Sequence, residues 1–393
     1  MTTGVGAALD EIRRAGLLRE LRTIESAIGP RIRLDGRDVL LLCSNDYLGL
    51  AEHPRVKAAA AEAAQRWGAG SGASRLVAGN LALHRELEEE LAAFKGTEAC
   101  LLFGSGYLAN TGVVAALAGR GEVVLSDALN HASIVDGCRL AAAETIVYPH
   151  ADLDALADGL RRAGDRPATI VTDSVFSMDG DVAPLEGIVE LARRHGARVI
   201  VDEAHATGVA GPGGRGLVAE LGLEGEVDVL IGTLSKALGS YGAFACCDAE
   251  TAAFLVNRAR TVIFSTGLPP SAAGAGLEAL RILRDDPGLV ERLWANAAAL
   301  RDELAAQGFP VQPGEMPIVP LVIGDPRAAM ALCEAALADG VFAQAIRPPT
   351  VPDGTSRLRL VAMASHEPAD LRAAARTLGR LRQPPASSQV AAE

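Results

Sequence analysis

The hydrophobic pattern of the middle of the chain predicts a parallel sheet wrapped in helices. Between about residues 98 and 247, short apolar runs rich in β-branched residues alternate with stretches of helical period. This alternation is typical of strand-helix-strand units whose strands are parallel. The predicted strands are 99–103, 123–126, 145–148, 169–175, 199–202, 227–231 and 243–247, and the clearest helices between them are 84–94, 152–162 and 185–195.

Different patterns flank this region. Residues 7–22 have the period of an amphipathic helix, and short strands are predicted at 32–34 and 39–42. A long helical zone follows Pro269 and Pro270, and then strands at 318–322, 342–346 and 357–361 accompany helices at 327–337 and 368–381. We therefore expect an α/β protein with an N-terminal arm (1–45), a large domain with a mainly parallel sheet (46–285), a smaller α+β C-terminal domain (286–382) and a mobile tail (383–393).

Composition and charge narrow the class of partner. The 393 residues include 37 Lys+Arg and 49 Asp+Glu, a net charge of −12, which argues against nucleic acid or an anionic membrane because both require a basic face. Six scattered cysteines without a C-x-x-C pair predict buried reduced thiols and a cytoplasmic location. Charges spread through residues 1–21 predict no signal peptide. The uncharged run 100–119 fits a strand, a glycine turn and a helix better than a membrane span.

A lysine placed directly after an apolar strand is the most informative single residue. Lys236 lies in the run 228–239 (DVLIGTLSKALG), where a Thr-x-x-Lys turn of small residues follows the strand. A desolvated amine at such a strand end can form a Schiff base with a carbonyl cofactor. A solvated surface charge remains the alternative while this residue is considered alone.

The segment 197–208 (ARVIVDEAHATG) places a carboxylate at the end of the neighbouring strand. Asp202 ends the apolar run, at the carboxyl edge where ligands bind in open α/β sheets. A helix-capping aspartate is the structural alternative. An acidic group here also suits the ring nitrogen of pyridoxal phosphate, which must stay protonated for the ring to accept electrons. His205, three residues later, can reach the ring hydroxyl.

A glycine-rich turn, 103–110 (FGSGYLAN), lies between a predicted strand and a predicted helix. Backbone amides at such a helix start can bind a phosphate. Read as G-x-G-x-x-A with Asp127 after the next strand, the turn also imitates a dinucleotide fingerprint, so a nicotinamide-dependent oxidoreductase is a rival hypothesis. A dehydrogenase, however, has no need of Lys236 and Asp202 on neighbouring strands.

His131 opens a predicted helix at the same sheet edge. A lone histidine is often a satisfied structural group, yet this flat ring could stack on a pyridine ring. The other histidines lack the spacing of metal ligands, so no metal is assigned. The absence of a G-x-S-x-G elbow removes the main signature of a serine hydrolase of the α/β class.

Several short motifs occur together and in a fixed order. They are SNDYLGL at 44–50, FSMDGD at 176–181, DEAH at 202–205, TLSK at 233–236 and FST at 264–266. In this combination the chain resembles the α-oxoamine synthases from about residue 7 to 382. The resemblance implies the aspartate aminotransferase fold (fold type I), pyridoxal phosphate as cofactor, a homodimer with shared active sites, and condensation of an amino acid with an acyl thioester with release of carbon dioxide.

The resemblance also implies a role for each matching residue. The catalytic candidates are Lys236, which would hold the cofactor and act as base, Asp202 at the ring nitrogen, and His131 stacked on the ring. Further cofactor contacts are implied for Gly106, Tyr107, Ser177, His205, Thr233 and, from a second subunit, Thr266. The implied substrate residues are Arg19, Asn45, His131, Arg347 and Thr350. Arg347 is assigned to the amino acid carboxylate because a guanidinium fork matches two carboxylate oxygens.

The segment 345–352 (AIRPPTVP) favours the branch of this family that joins L-alanine to a pimeloyl thioester in biotin synthesis. Glycine-using relatives, such as 5-aminolevulinate synthase and 2-amino-3-ketobutyrate ligase, usually lack an arginine at the position of Arg347. An enzyme that uses glycine or serine remains the alternative, and the acyl carrier is either coenzyme A or a carrier protein. Arg75 is bulky where some members have a small residue, which leaves the acyl cavity undefined.

Overall fold

The computed structural model describes residues 4–311, 314 and 316–382, and the chain divides into two compact units. The small unit contains the described residues of Met1–Asn45, Met178–Gly180 and Arg292–Glu393, and the large unit contains Asp46–Ser177 and Asp181–Glu291. The N-terminal segment, predicted as a separate arm, therefore groups with the C-terminal residues, and the division falls after Glu291 instead of after residue 285. The predicted tail 383–393 lies outside the described residues.

The elements are numbered in chain order. The helices are α1 (Val5–Arg14), α2 (Pro54–Trp67), α3 (Ala82–Lys95), α4 (Gly106–Leu117), α5 (Ala132–Leu140), α6 (Leu153–Ala163), α7 (Leu185–His195), α8 (Leu217–Glu220), α9 (Ala249–Arg258), α10 (Arg260–Ile263), α11 (Pro270–Asp285), α12 (Gly288–Ala306), α13 (Pro326–Ala338) and α14 (Pro368–Arg382). The strands are β1 (Arg31–Leu34), β2 (Arg37–Leu41), β3 (Ala99–Phe103), β4 (Val123–Asp127), β5 (Glu144–Tyr148), β6 (Ala168–Asp173), β7 (Arg198–Asp202), β8 (Val229–Thr233), β9 (Ala243–Cys247), β10 (Ile318–Gly324), β11 (Val341–Phe342), β12 (Ala345–Ile346) and β13 (Ser356–Val361).

A seven-stranded sheet forms the centre of the large unit. Its strand order is β3-β9-β8-β7-β6-β4-β5, and only β9 runs antiparallel to its two neighbours. Strands β4, β6, β7, β8 and β9 are buried along almost their whole length, which explains why they read as continuous apolar runs. The mainly parallel sheet predicted from the sequence is confirmed, and with it the α/β fold class.

The small unit contains two three-stranded sheets. One has the order β1-β2-β11 and the other the order β10-β13-β12. Helices α12, α13 and α14 contribute Leu300, Cys333 and Leu378 to an apolar core that these sheets share. A single strand was predicted at 342–346, but Val341–Phe342 pairs with β2 and Ala345–Ile346 pairs with β13, so the chain passes from one sheet to the other in between.

Two further boundaries differ from the sequence prediction. The amphipathic pattern at 7–22 gives a helix only to Arg14, because Gly16 adopts a positive φ of 69° and ends the helix as glycines commonly do. Strand β8 begins at Val229 instead of residue 227, and its burial continues through Thr233. Within the described residues, no helix is both long and apolar enough to cross a membrane.

Candidate active site

The loops that carry the predicted cofactor residues lie at one edge of the large unit's sheet. Strands β3, β4, β6, β7 and β8 all run in the same direction, so their carboxyl ends share this edge. Asp202 is the last residue of β7, and the other predicted residues follow the ends of the five strands, in chain order Gly106, His131, Ser177, His205 and Lys236. The fold therefore brings together residues that are up to 130 positions apart in the sequence.

Asp202 is a buried carboxylate held by neutral groups. It ends β7 with 4% of its surface exposed, its Oδ1 accepts a hydrogen bond from the Ala204 N–H (2.7 Å), and its Oδ2 accepts one from Asn110 Nδ2 (2.6 Å). Among the described residues, no cationic side chain pairs with it within 4.0 Å. A buried carboxylate with only neutral donors retains a strong preference for a cationic partner. A protonated ring nitrogen would supply that partner.

Lys236 ends a row of three hydrogen-bonded side chains. Its Nζ lies 2.8 Å from His205 Nε2, and His205 Nδ1 lies 2.7 Å from the hydroxyl of the fully buried Tyr47. Gly208 permits the close approach of the two loops, because a Cβ at this position would lie 2.6 Å from the Cβ of Ala237 and its φ is +78°. The His205 ring therefore connects the buried Tyr47 hydroxyl to the Lys236 amine.

His131 caps α5 and is tied to a second buried carboxylate. Its Nδ1 accepts a hydrogen bond from the Ser133 N–H (3.2 Å), and its own main-chain N–H donates to Asp173 Oδ2 (2.7 Å). Burial lowers the pKa of His131; the charge of Asp202 opposes this effect and that of Lys236 adds to it. Burial and the neighbouring Asp202 raise the pKa of Asp173 well above its usual range. A neutral imidazole therefore lies beside Asp202 and Lys236.

The start of α4 has the features of a phosphate site. Ser105 caps the helix by accepting a hydrogen bond from the Leu108 N–H (3.2 Å), which leaves the N–H groups of Gly106 and Tyr107 without intrahelical partners. A Cβ at Gly106 would meet nothing within 4 Å, so there is room beside these amides. The positive end of the helix dipole adds to the attraction for an anion.

The remaining predicted cofactor residues have structural partners of their own. The Tyr107 hydroxyl donates to Asp136, so any phosphate contact of this residue falls to its main chain. Thr233 Oγ1 donates to the Gly242 carbonyl (2.8 Å), within the turn that carries Lys236. Ser177 is half-buried, and Thr266 is exposed and forms an isolated β-bridge with Ser74.

Four of the five predicted substrate residues lie in the small unit, namely Arg19, Asn45, Arg347 and Thr350, whereas His131 lies in the large unit. Arg19, Arg347 and Thr350 line a cavity of about 850 Å³ together with Arg22 and Glu334. Arg347 is 8% exposed and donates to the main-chain carbonyls of Gly16 (2.6 Å) and Leu18 (3.1 Å). Burial and the nearby Arg19 lower its pKa. Arg347 therefore also holds the segment that follows α1.

The sequence prediction missed three residues that contact the predicted site residues, one in the small unit (Arg359) and two in the large unit (Asn110 and Asp173). Arg359 on β13 is 6% exposed and donates to Asn45 Oδ1 (3.0 Å), so it accompanies a predicted substrate residue. The sequence did contain a signal for Arg359, because Arg357 and Arg359 interrupt an otherwise apolar strand. Asn110 and Asp173 left no local signal, because their contacts join residues 92 and 42 positions apart. The sequence left the effect of Arg75 on the acyl cavity undefined. In the structure the Arg75 guanidinium donates to Asn80 Oδ1 and Glu88 Oε2.

Comparison with known proteins assigns the family. The model of the aminotransferase class I and II family matches residues 37–378. An 8-amino-7-oxononanoate synthase of Geobacter sulfurreducens is 50% identical over 97% of this chain and 98% of its own, and one from Anaeromyxobacter dehalogenans is 52% identical over 93% and 92%. The chain belongs to the 8-amino-7-oxononanoate synthases of this family.

Solved structures support the fold type I architecture of the chain. A serine palmitoyltransferase from Sphingomonas wittichii superposes with a TM-score of 0.91 at 31% identity, covering 95% of this chain and 96% of that one. The 8-amino-7-oxononanoate synthase from Francisella tularensis gives a TM-score of 0.74 at 25% identity, covering 87% and 97%. A serine palmitoyltransferase from S. paucimobilis, with a TM-score of 0.91 and 35% identity over 95% of this chain and 96% of that one, was solved with bound pyridoxal phosphate and myriocin.

Pyridoxal phosphate is the cofactor of this family, and the residues present fit it. The buried Asp202 matches a protonated ring nitrogen, and the start of α4 matches a phosphate. The amine of Lys236 lies on the same edge of the sheet. No group of three or more His, Cys, Asp or Glu side chains in the described ranges is arranged to hold a metal ion.

Proposed function

We propose that the chain catalyses the decarboxylative condensation of L-alanine with a pimeloyl thioester. The products are 8-amino-7-oxononanoate, carbon dioxide and the free thiol carrier, in biotin biosynthesis. The observation that carries the proposal is the row Lys236–His205–Tyr47 beside the buried Asp202, in a chain half identical to 8-amino-7-oxononanoate synthases along nearly its whole length. The nicotinamide alternative has no use for this arrangement.

The large unit supplies the cofactor contacts in this proposal. Lys236 would hold the cofactor covalently, Asp202 would pair with its ring nitrogen and His205 with its ring hydroxyl. His131 would stack on the ring, with Ser177 beside it. The amides of Gly106 and Tyr107 would hold the phosphate, with Thr233 supporting the turn and Thr266 contributed by a second subunit. When bound, pyridoxal phosphate supplies an electron sink that stabilises the carbanions formed by loss of a proton and of carbon dioxide.

The proton transfers of the proposed reaction are assigned to side chains of this chain. Lys236 acts as the base that removes the Cα proton of alanine, and it later returns a proton to the product carbon. Two hydrogen-bond directions along Lys236–His205–Tyr47 are compatible with a neutral imidazole, since one ring nitrogen donates while the other accepts. In one of these two arrangements, His205 Nε2–H donates to a neutral Lys236 amine, and the neutral amine is the form of lysine that can act as a base. Asn110 and the Ala204 N–H keep the Asp202 carboxylate in one orientation.

The small unit supplies the substrate contacts. An arginine fork would bind the alanine carboxylate, and two buried arginines compete for this role. The sequence assigns it to Arg347, whose guanidinium already donates to two main-chain carbonyls. Arg359, bonded to Asn45, is the second candidate. Arg19 and Thr350, which line the cavity with Arg347, would contact the acyl substrate.

The cellular setting of the proposal is a cytoplasmic homodimer with shared active sites. Two observations support it: the six cysteines are free, and Thr266 is exposed in the single chain. The proposal includes neither nucleic acid nor a membrane as a partner, in keeping with the net charge of −12.

A parallel assay tests the proposed reaction. The purified full-length protein, supplied with pyridoxal phosphate, is incubated with L-alanine, glycine or L-serine and with pimeloyl, acetyl or succinyl thioesters, each on coenzyme A and on a carrier protein. Released carbon dioxide is measured in every combination. We expect the highest kcat/KM with alanine and a pimeloyl thioester. A preference for serine or glycine would replace the proposed substrates, and an absence of carbon dioxide in all combinations would refute the reaction.

A further inference from the structure

His150 lies between two carboxylates at the same sheet edge. It follows β5 by two residues; its Nδ1 is 3.0 Å from Asp127 Oδ1 and its Nε2 is 2.6 Å from Asp181 Oδ2. A neutral imidazole has a single N–H, whereas two carboxylates accept from both nitrogens only when the ring is protonated. The hydrogen bonds to Asp127 and then to Asp181 raise the pKa of His150 to about 10. His150 is therefore a cation in the folded protein at neutral pH.

Asp127 connects this cation to the turn that leads to His131. It is the last residue of β4 and is buried. Its Oδ1 also accepts the Leu129 N–H (2.8 Å), and its Oδ2 accepts the Ala151 N–H (2.8 Å). The Asp127 carboxylate thus bonds both to the loop that carries His150 and to the turn that places His131 at the start of α5.

Asp181 connects the same cation to the turn that contains Ser177. The Phe176 N–H donates to the Asp181 carbonyl (2.9 Å), which closes this turn. The Phe176 ring meets the His150 ring edge-on, with centroids 4.4 Å apart and an interplanar angle of 87°. In the described part of the chain, Asp181 Oδ1 is buried without a hydrogen-bond partner, and the Asp181 side chain is bonded through Oδ2 to His150.

We propose that His150 is a positioning residue, which binds Asp127 and Asp181 at once and thereby holds His131 and Ser177 in the placement that cofactor binding requires. The inference rests on the proposed function, because that function assigns these two residues to the cofactor. His150 itself acts through the two carboxylates. Two charge-assisted hydrogen bonds to one small cation couple turns that are about 45 residues apart in the chain.

The test compares His150→Gln and His150→Ala with wild type and with the matched control His195→Gln, which makes the same substitution at an exposed helix end. The dissociation constant of pyridoxal phosphate is measured by absorbance titration of the apo protein, and the melting temperature is recorded for each protein. We expect His150→Gln to weaken cofactor binding about tenfold or more, the value of one lost charge-assisted hydrogen bond, because an uncharged amide cannot donate to both carboxylates in this geometry. His195→Gln should bind the cofactor like wild type.

Imidazole rescue separates positioning from a general effect on folding. The His150 side chain is 27% exposed, so free imidazole can reach the space left in His150→Ala. We expect added imidazole to recover much of the lost cofactor affinity, while imidazole leaves the control unchanged. Wild-type affinity in His150→Gln, or a loss in His150→Ala that imidazole does not reverse, would overturn the inference. Failure of wild type and His195→Gln to bind the cofactor would instead refute the proposed function, and this inference with it.

Discussion

The proposed role of Lys236 as a base depends on the side chains around its amine. Lys236 Nζ contacts His205 Nε2. The charges of Lys236 and of the buried Asp202 both act on the pKa of His131, in opposite directions. In water a lysine amine is protonated at neutral pH, so its use as a base requires surroundings that favour the neutral form. The structure holds the Lys236 amine against His205, which is itself bonded to Tyr47, and the lysine side chain is partly buried.

Replacing Lys236 should abolish covalent cofactor binding. In Lys236→Ala both the amine that holds the cofactor and the base are lost, so we expect turnover to fall by roughly a million-fold, the scale seen when a catalytic nucleophile or its base is removed from an enzyme. Borohydride reduction of the loaded wild type, followed by peptide mass spectrometry, should place the cofactor on Lys236. A label on another lysine would contradict the assignment.

Two arginine variants decide which side chain binds the alanine carboxylate. Arg→Lys keeps the charge but removes the fork. We expect Arg359→Lys to weaken alanine binding by about 2 kcal/mol or more, because a bidentate charged hydrogen bond is lost. Arg347→Lys should have a smaller effect on alanine, since Arg347 donates to the main-chain carbonyls of Gly16 and Leu18, whereas Arg359 donates to Asn45, itself a predicted substrate residue. Spectral titration with L-alanine measures both, and Arg19→Lys serves as the comparison. A larger loss in Arg347→Lys would restore the assignment made from the sequence.

At the scale of elements, α3 is joined to the loop after β7 by a buried ion pair. Lys95 ends α3 with 2% of its surface exposed, and its Nζ donates to Glu203 Oε2 (2.7 Å), Thr207 Oγ1 (2.9 Å) and the Arg215 carbonyl (2.7 Å). Glu203 Oε1 accepts the Val218 N–H (2.8 Å). Since Glu203 lies between Asp202 and His205, the pair fixes the loop that carries both.

Breaking this pair should destabilise the large unit. Lys95→Met leaves Glu203 buried without a cation, which costs about 3 to 5 kcal/mol. The double variant Lys95→Met/Glu203→Gln removes the uncompensated charge, so we expect it to recover part of the loss. Urea unfolding followed by circular dichroism measures both. Arg85→Met, which breaks the exposed Arg85–Glu89 pair, is the control and should change stability little. Equal stability of Lys95→Met and wild type would show that the pair does not stabilise the fold.

The sequence predicted most elements but not all of their limits. Strands β3 and β9 and helix α7 agree with their predicted bounds, because each is set by a local apolar pattern and flanking turn residues. Helix α1 is shorter than predicted because its polar-apolar period continues beyond the glycine that ends it. Strands β11 and β12 could not be separated, since their difference is which distant strand each one pairs with.

At the scale of the whole molecule, stability should depend on pH through His366 in the small unit. This buried histidine accepts the Met363 N–H at Nδ1 (2.9 Å), and its Nε2 lies 3.0 Å from the Leu41 carbonyl, a pattern that suits the neutral ring. Burial lowers its pKa from the ordinary 6.5 to about 4. The folded protein therefore binds fewer protons here than the unfolded chain, and stability should fall as pH decreases from 6.5 to 4.

The variant His366→Gln isolates this effect. Its side chain does not titrate, so the free energy of unfolding of wild type relative to the variant should fall by roughly 3 kcal/mol as pH decreases through that window. Urea unfolding at several pH values between 7.5 and 4 gives the difference. Burial raises the pKa of Asp46 to about 6, which acts in the opposite direction but is common to both proteins. A difference that is constant with pH would show that folding does not lower the pKa of His366.

Taken alone, the sequence determined the α/β class, the order of the elements and the residue types at the ends of the strands. These features depend on local patterns, namely apolar runs, glycine turns and polar residues directly after a strand. Lys236, Asp202 and His131 were predicted as site residues in this way. The family resemblance, which rests on several motifs in order, was confirmed by relatives about half identical to the chain.

Only the tertiary structure determined which side chains face one another. The contacts Asn110–Asp202, His150–Asp181 and Arg359–Asn45 join residues 92, 31 and 314 positions apart. No local pattern encodes such pairs, because they follow from strand order and from the packing of loops at a shared edge. The pKa shifts of His131, His150 and His366 could not be predicted from the sequence either, because burial and neighbouring charges shift these pKa values in different directions.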